Sequence, residues 1–136
     1  MELDHIAVNQ QAKTDGVWVE LIDDARIRVR NSSYPPYQKA FEALIVVYKA
    51  KQVNGELSDK DSDAFRLEIR DLLANHIIVD WEGIKQAGKP LEYSPATAKQ
   101  IMKDMRYEKF HTAVNDAAQN LDLCLEEVVK EAEKKS

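Results

Sequence analysis

Cysteine, glycine and proline are all scarce in this 136-residue chain: one Cys, four Gly and four Pro. The single thiol, Cys124, excludes an intramolecular disulfide and any multi-cysteine zinc site. So few glycines and prolines exclude a collagen-like or linker-dominated chain. No apolar run approaches the roughly 20 residues that a membrane-spanning helix needs. The opening residues, Met1-Glu2-Leu3-Asp4-His5, carry neither a basic cluster nor an apolar stretch. No signal peptide is therefore expected, and a reducing cytoplasm is the expected compartment. Basic charge is in deficit, with 19 Lys+Arg against 24 Asp+Glu and a net charge of −5. That speaks against a dedicated nucleic-acid binder, which would normally carry a basic face, but leaves a local basic patch open.

What is present reads as one globular domain over residues 1–136. The chain is 44% apolar and 32% charged, unlike a disordered acidic chain. Residues 1–16 are mixed and polar and end in the turn signal Thr14-Asp15-Gly16. Val17-Trp18-Val19-Glu20-Leu21-Ile22 and Arg26-Ile27-Arg28-Val29-Arg30 then alternate around Asp23-Asp24-Ala25, which predicts a β-hairpin over residues 17–30. The rest, residues 36–135, predicts about four helices, so the expected fold is mainly α (α+β).

The first helix begins near Pro36 and ends at Asn54-Gly55, with Tyr37, Phe41, Leu44, Ile45 and Tyr48 at helical spacing. The second begins between Ser58 and Ser62. Phe41, Leu44, Ile45, Phe65, Ile69, Leu72, Leu73 and Ile77 are expected in one core. The segment from Ile78 to Ile84 is expected to be a helix that ends in an ordered loop at Gly83. Ser94-Pro95 starts a short helix by capping. A kink near Arg106 and a long helix carrying Phe110, Val114, Ala117, Leu121 and Val128 are expected to follow, with residues 131–136 fraying.

Few residues suggest chemistry. There is no glycine-rich phosphate loop and no nucleophile elbow. His5, His76 and His111 lack ligand spacing; His76 is expected in the core and His111 in solvent. Cys124 lies on an apolar helix face and is expected to be a small core residue. Asp59, Asp61 and Asp63 alternate like the start of a calcium loop, but the required glycine and distal glutamate are missing, so capping explains them better. The expectation is no enzyme, no cofactor and no metal. Candidate protein-interaction residues are Trp18, Arg26, Arg28, Arg30 and Trp81. The three arginines share one strand face that could be solvated, grip a partner's carboxylates, or hold phosphates. Trp81 is a loop anchor or an exposed binding anchor, and Trp18 stands outward with Glu20 if Val17 and Val19 face the core.

Two stretches carry a resemblance. Ile78-Val79-Asp80-Trp81-Glu82-Gly83-Ile84, followed by Gly88-Lys89-Pro90-Leu91-Glu92-Tyr93-Ser94-Pro95-Ala96-Thr97-Ala98, resembles the tail assembly chaperones of long-tailed bacteriophages. The match covers residues 78–98 well and the remainder loosely. The resemblance implies a non-enzymatic protein of the host cell cytoplasm, absent from the mature virion. It implies binding of the tape measure protein, with the tail tube protein as a second partner, and self-association into a ring or spiral. It also implies that a longer form could arise by frameshifting, for which Lys134-Lys135 would suit a slip site. Charge and the hairpin's open edges suggest one head-to-tail contact, of the arginine strand with Asp59, Asp61 and Asp63 of a neighbour. A structural tail-completion or connector protein and a small nucleic-acid-binding module are the alternative readings.

Overall fold

Alternation over residues 17–30 does produce a hairpin. In the computed structural model, which describes residues 1–129, strands β1 (Val17–Glu20) and β2 (Arg26–Val29) pair antiparallel, Val17 opposite Val29 and Glu20 opposite Arg26. Asp23 and Asp24 both have positive φ, 57° and 62°, and the Ala25 N–H donates to the Ile22 carbonyl across them. Such a turn matches the twist of the strands it joins. Ile27 and Val29 are buried on the inner face, as their spacing predicts.

The hairpin does not stand alone. Residues Ile78–Glu82 form a third strand, β3, which pairs antiparallel with β2 and gives the order β1-β2-β3. This corrects the expected helix-to-loop reading of that segment. Ile78 and Val79 are β-branched, and Trp81 alternates inward opposite Ile27. The preceding helix ends in a π turn, Leu73–Ile77, which delivers the chain into the strand. A two-residue hairpin, β4 (Lys85–Gln86) and β5 (Lys89–Pro90), follows on the surface.

The helices begin and end where side chains cap them. Helix α1 (Gln10–Asp15) occupies part of the polar N-terminal stretch, with the Asn9 side chain accepting from the Ala12 N–H. Helix α2 (Pro35–Val53) carries prolines in its first turn and stops before Asn54-Gly55. Helix α3 (Asp59–Leu72) opens on a reciprocal capping box: Ser58 accepts from the Asp61 N–H, and Asp61 accepts from the Ser58 N–H. The aspartates are therefore a helix start, as expected. Ser94 caps α4 (Pro95–Lys103) by accepting from Thr97. Asp104 then accepts from the Arg106 N–H and turns the chain into α5 (Glu108–Gln119).

The expected long C-terminal helix is interrupted. Asn120 accepts from the Asp122 N–H, a short 3₁₀ turn spans Leu121–Cys124, and Leu125 bridges to Val8. Asparagine competes with the helix by bonding to backbone two residues on. Cys124 is 1% exposed and packs with Ala12 and Val129 in a small second cluster. The fraying expected over residues 131–136 and the Lys134-Lys135 pair lie outside the described residues.

The main core is the inner sheet face covered by α4, α5 and the π turn. It holds Ile27, Val29, Ile77, Ile78, Trp81, Met102 and Val114. Of the expected core residues, Leu73 and Ile77 are fully buried, and Phe41, Ile69 and Leu72 pack against the cluster. Leu44, Ile45 and Phe65 are only half-buried, because α2 and α3 run beyond the core as a helical arm. Tyr48 and Phe65 meet across that arm with their rings tilted by 36°, at 4.3 Å between centroids. Lys51 pairs with Asp61 at 2.9 Å near its end. The fold is thus α+β, a small antiparallel sheet under a mainly helical body.

Candidate interaction site

Pairing with β3 decides what the strand arginines can do. On the outer sheet face Arg26 lies between Glu20 and Glu82, and Arg28 between Trp18 and Asp80. Arg26 Nε donates to Glu82 at 2.7 Å, and its guanidinium sits 4.3 Å from the Trp18 ring centroid. The Glu82 carboxyl is held below its ordinary range by that guanidinium. Trp18 is therefore half-buried beneath Arg26, outward-facing as expected but covered on one side. Arg28 is half-buried, and its Nε has no partner among the described residues.

Arg30 acts as a clamp. Its Nε donates to the Thr14 carbonyl at 2.6 Å and Nη1 to the His76 carbonyl at 3.1 Å, with Tyr34 stacked beneath. It joins the end of α1, the strand and the π turn. His76 contributes its backbone to this clamp, and its half-buried position corrects the expected core histidine. Asp61 is likewise engaged by Lys51 and Ser58. Arg26, Arg30 and Asp61, three of the residues in the suggested arginine–aspartate contact, thus already have partners within the chain.

Trp81 is an internal anchor. It is 4% exposed, its indole N–H donates to the Leu91 carbonyl at 2.8 Å, and its ring meets Tyr93 and Phe110 edge-on. A side chain so enclosed cannot be an exposed binding anchor, which corrects that alternative. His111 is also corrected: it is 5% exposed, and its Nε2 bonds the Ile101 carbonyl at 2.8 Å. A carbonyl only accepts, so Nε2 carries the proton, and Nδ1 is left buried without a partner among the described residues. The spacing His111, Val114, Ala118 was the available signal, since it is a helical stripe of its own.

The concave surfaces lie elsewhere. A groove of about 700 Å³ runs between α2, α3 and α5. Its floor is Tyr37, Phe41, Ile69 and Leu73, and Arg66 and Arg70 stand along its α3 edge. A second hollow, about 800 Å³, lies beside the hairpin tip, between Leu21, Ile84 and Phe110. On α2 the side chains of Val46, Val47 and Val53 are 68%, 58% and 85% exposed. Charge patterning at the sequence level drew notice to the sheet and away from these helical surfaces. Among the described residues no group of three or more His, Cys, Asp or Glu could hold a metal ion, and no helix is long and apolar enough to cross a membrane.

No curated protein and no solved structure matches the chain. A sequence model of one family matches residues 32–135, from the start of α2 through all the later elements, and includes the stretch at 78–98. The chain belongs to the YdaY prophage protein family and is thus a phage-derived protein.

Proposed function

We propose that this prophage protein is a non-enzymatic tail assembly chaperone that holds the tape measure protein, and secondarily the tail tube protein, in the host cell cytoplasm. The observation that carries the reading is the apolar surface of the α2–α3 arm, where three valines of α2 stand more than half exposed on an acidic, highly charged chain. Single exposed apolar residues are ordinary, but Val46 and Val53 share one face of a projecting helix, with Val47 about 100° round it, and such a surface suits a protein that covers another. The phage origin and the residue pattern over 78–98 support the same assignment. Self-association would multiply a weak site along an extended client. With Arg26 and Arg30 engaged internally, an oligomer contact is better placed on α2 than on the sheet.

Co-expression tests this. The tape measure protein of the same prophage should remain soluble with this chain and precipitate without it. Mass spectrometry of purified induced particles should find no copy of the chain. A stoichiometric copy in the particle would instead make it a structural tail-completion or connector protein.

A further inference from the structure

The groove between α2, α3 and α5 has dimensions and charge that specify an occupant. The residues lining it recur about one turn apart on each wall: Tyr37 and Phe41 on α2, Arg66 and Arg70 on α3, His111 and Asn115 on α5, where Gln119 adds a second turn. One to two turns are about 5–11 Å of helix axis, room for one face of a docking helix to set side chains at i, i+3 or i+4, and i+7 along the longer α5 wall. All three walls are helical, so the groove offers no sheet edge to an extended strand.

Charge narrows the choice. Arg66 and Arg70 are four residues apart on one helix face, with about 5–6 Å between their Cβ atoms. Among the described residues neither reaches a carboxylate; Arg70 lies against the Met105 sulfur instead. This contrasts with Arg26 and Arg106, whose guanidinium groups are each paired with an acid. One acid, Glu42, lines the groove on the α2 side, so the field is basic along one edge only. Two cations beside an apolar floor are too few for a nucleic-acid backbone and fit a protein segment with acid on one side. Beneath the α5 wall, the unpartnered Nδ1 of His111 is a buried acceptor in a residue that lines the groove.

We infer that this groove docks an amphipathic helix of a partner protein, with its apolar face on Tyr37, Phe41, Ile69 and Leu73 and an edge of acidic residues against Arg66 and Arg70. As the chaperone's client site the inference rests on the preceding proposal; as a statement of groove chemistry it stands separately.

Two synthetic peptides of about 18 residues test it, identical in their leucine face but edged with glutamate in one and lysine in the other. Fluorescence anisotropy with the full chain should show the glutamate-edged peptide binding at least about tenfold tighter, from two partly exposed charge pairs made attractive rather than repulsive. Amide shifts should concentrate on Thr112, Asn115 and Gln119. Asn115 is exposed, so Asn115→Trp should fill the groove and abolish binding while leaving the melting temperature near that of the parent. Arg66→Glu with Arg70→Glu should reverse the preference between the peptides. Equal binding of both peptides, shifts outside the groove, or tighter binding of a single-stranded oligonucleotide at these arginines would overturn the inference. So would a dimer of the chain that Asn115→Trp dissociates, since the occupant would then be a second copy. If Asn115→Trp still solubilises the tape measure protein, the groove assignment falls and the chaperone reading stands. If the peptides behave as expected and the tape measure protein is not held, the reverse applies.

Discussion

Replacing Trp81 by alanine removes a side chain that joins three parts of the fold. Its ring lies on the inner sheet face opposite Ile27, its N–H reaches Leu91 after the β4–β5 hairpin, and its edge contacts reach Tyr93 and Phe110 of α5. Truncating a buried aromatic to alanine costs about 3–5 kcal/mol in transfer and cavity terms. Total stability for a domain of this kind is about 5–15 kcal/mol, so the variant gives up a large fraction of it. At roughly 3–5 °C per kcal/mol for this chain length, the melting temperature should fall by about 10–20 °C. Trp81→Phe should cost less, about 1–2 kcal/mol, since the ring contacts largely survive and the bond to Leu91 is lost. Urea denaturation followed by far-UV circular dichroism gives both numbers, with Trp18→Ala as a control on the half-buried outer ring. A Trp81→Ala midpoint no lower than that of Trp18→Ala would refute the account of Trp81 as the anchor between sheet, loop and α5.

Gly83→Ala should destabilise more than Gly55→Ala, although both glycines have positive φ. A Cβ at Gly83 would stand 3.0 Å from the Asp24 carbonyl oxygen and 3.1 Å from the Ala25 Cα, whereas nothing lies within 4 Å at Gly55. The Gly55 change should cost about 1–2 kcal/mol and the Gly83 change more, by chemical denaturation. Asp61 is held down to about 2, first by Lys51 and then by Ser58, against an ordinary value of 3.8. Its stabilising contribution is therefore full above pH 3.8 and is lost as pH falls through 2. The melting-temperature gap between the parent and Asp61→Asn should accordingly close between those values; a gap independent of pH would contradict it. Burial pushes the Cys124 thiol up, so Ellman's reagent should label it only as fast as the chain unfolds.

Local signals gave the local structure. Ser58 and Ser94 marked helix starts through their hydroxyls, Asn54-Gly55 marked a stop, and the alternation of Arg26 to Arg30 marked a strand with Ile27 and Val29 inward. What was illegible depended on partners far along the chain. Ile78 to Glu82 follows a helix without a break, and its identity as a strand comes from pairing with β2, some fifty residues earlier. The arm formed by α2 and α3 shows the complementary failure. Its apolar periodicity is sound, yet spacing alone does not reveal that only Tyr37 of α2 is fully buried and that the helix leaves the core after Phe41. His111 was missed because its neighbour Phe110 drew the stripe one residue over; the burial of both follows from α5 folding back on α4 at Asp104.

The unrecognised strand and the candidate arginine surface are one problem. While Asp80 and Glu82 are read as loop residues, Arg26 and Arg28 have no carboxylates beside them and look available to a partner. Once β3 is paired, Glu82 bonds Arg26 and Asp80 stands opposite Arg28, so carboxylates lie beside both arginines on the outer sheet face, although only Arg26 forms an ion pair among the described residues. Paired charges make a poor docking surface, because a partner must first displace an interaction already made. Two further cations without an acid partner lie on α3, where Arg66 and Arg70 border an apolar groove with no carboxylate in reach among the described residues. Sheet pairing thus favours the helices over the hairpin for the proposed docking groove, and all the residues that line the groove fall within the part of the chain that the prophage family shares.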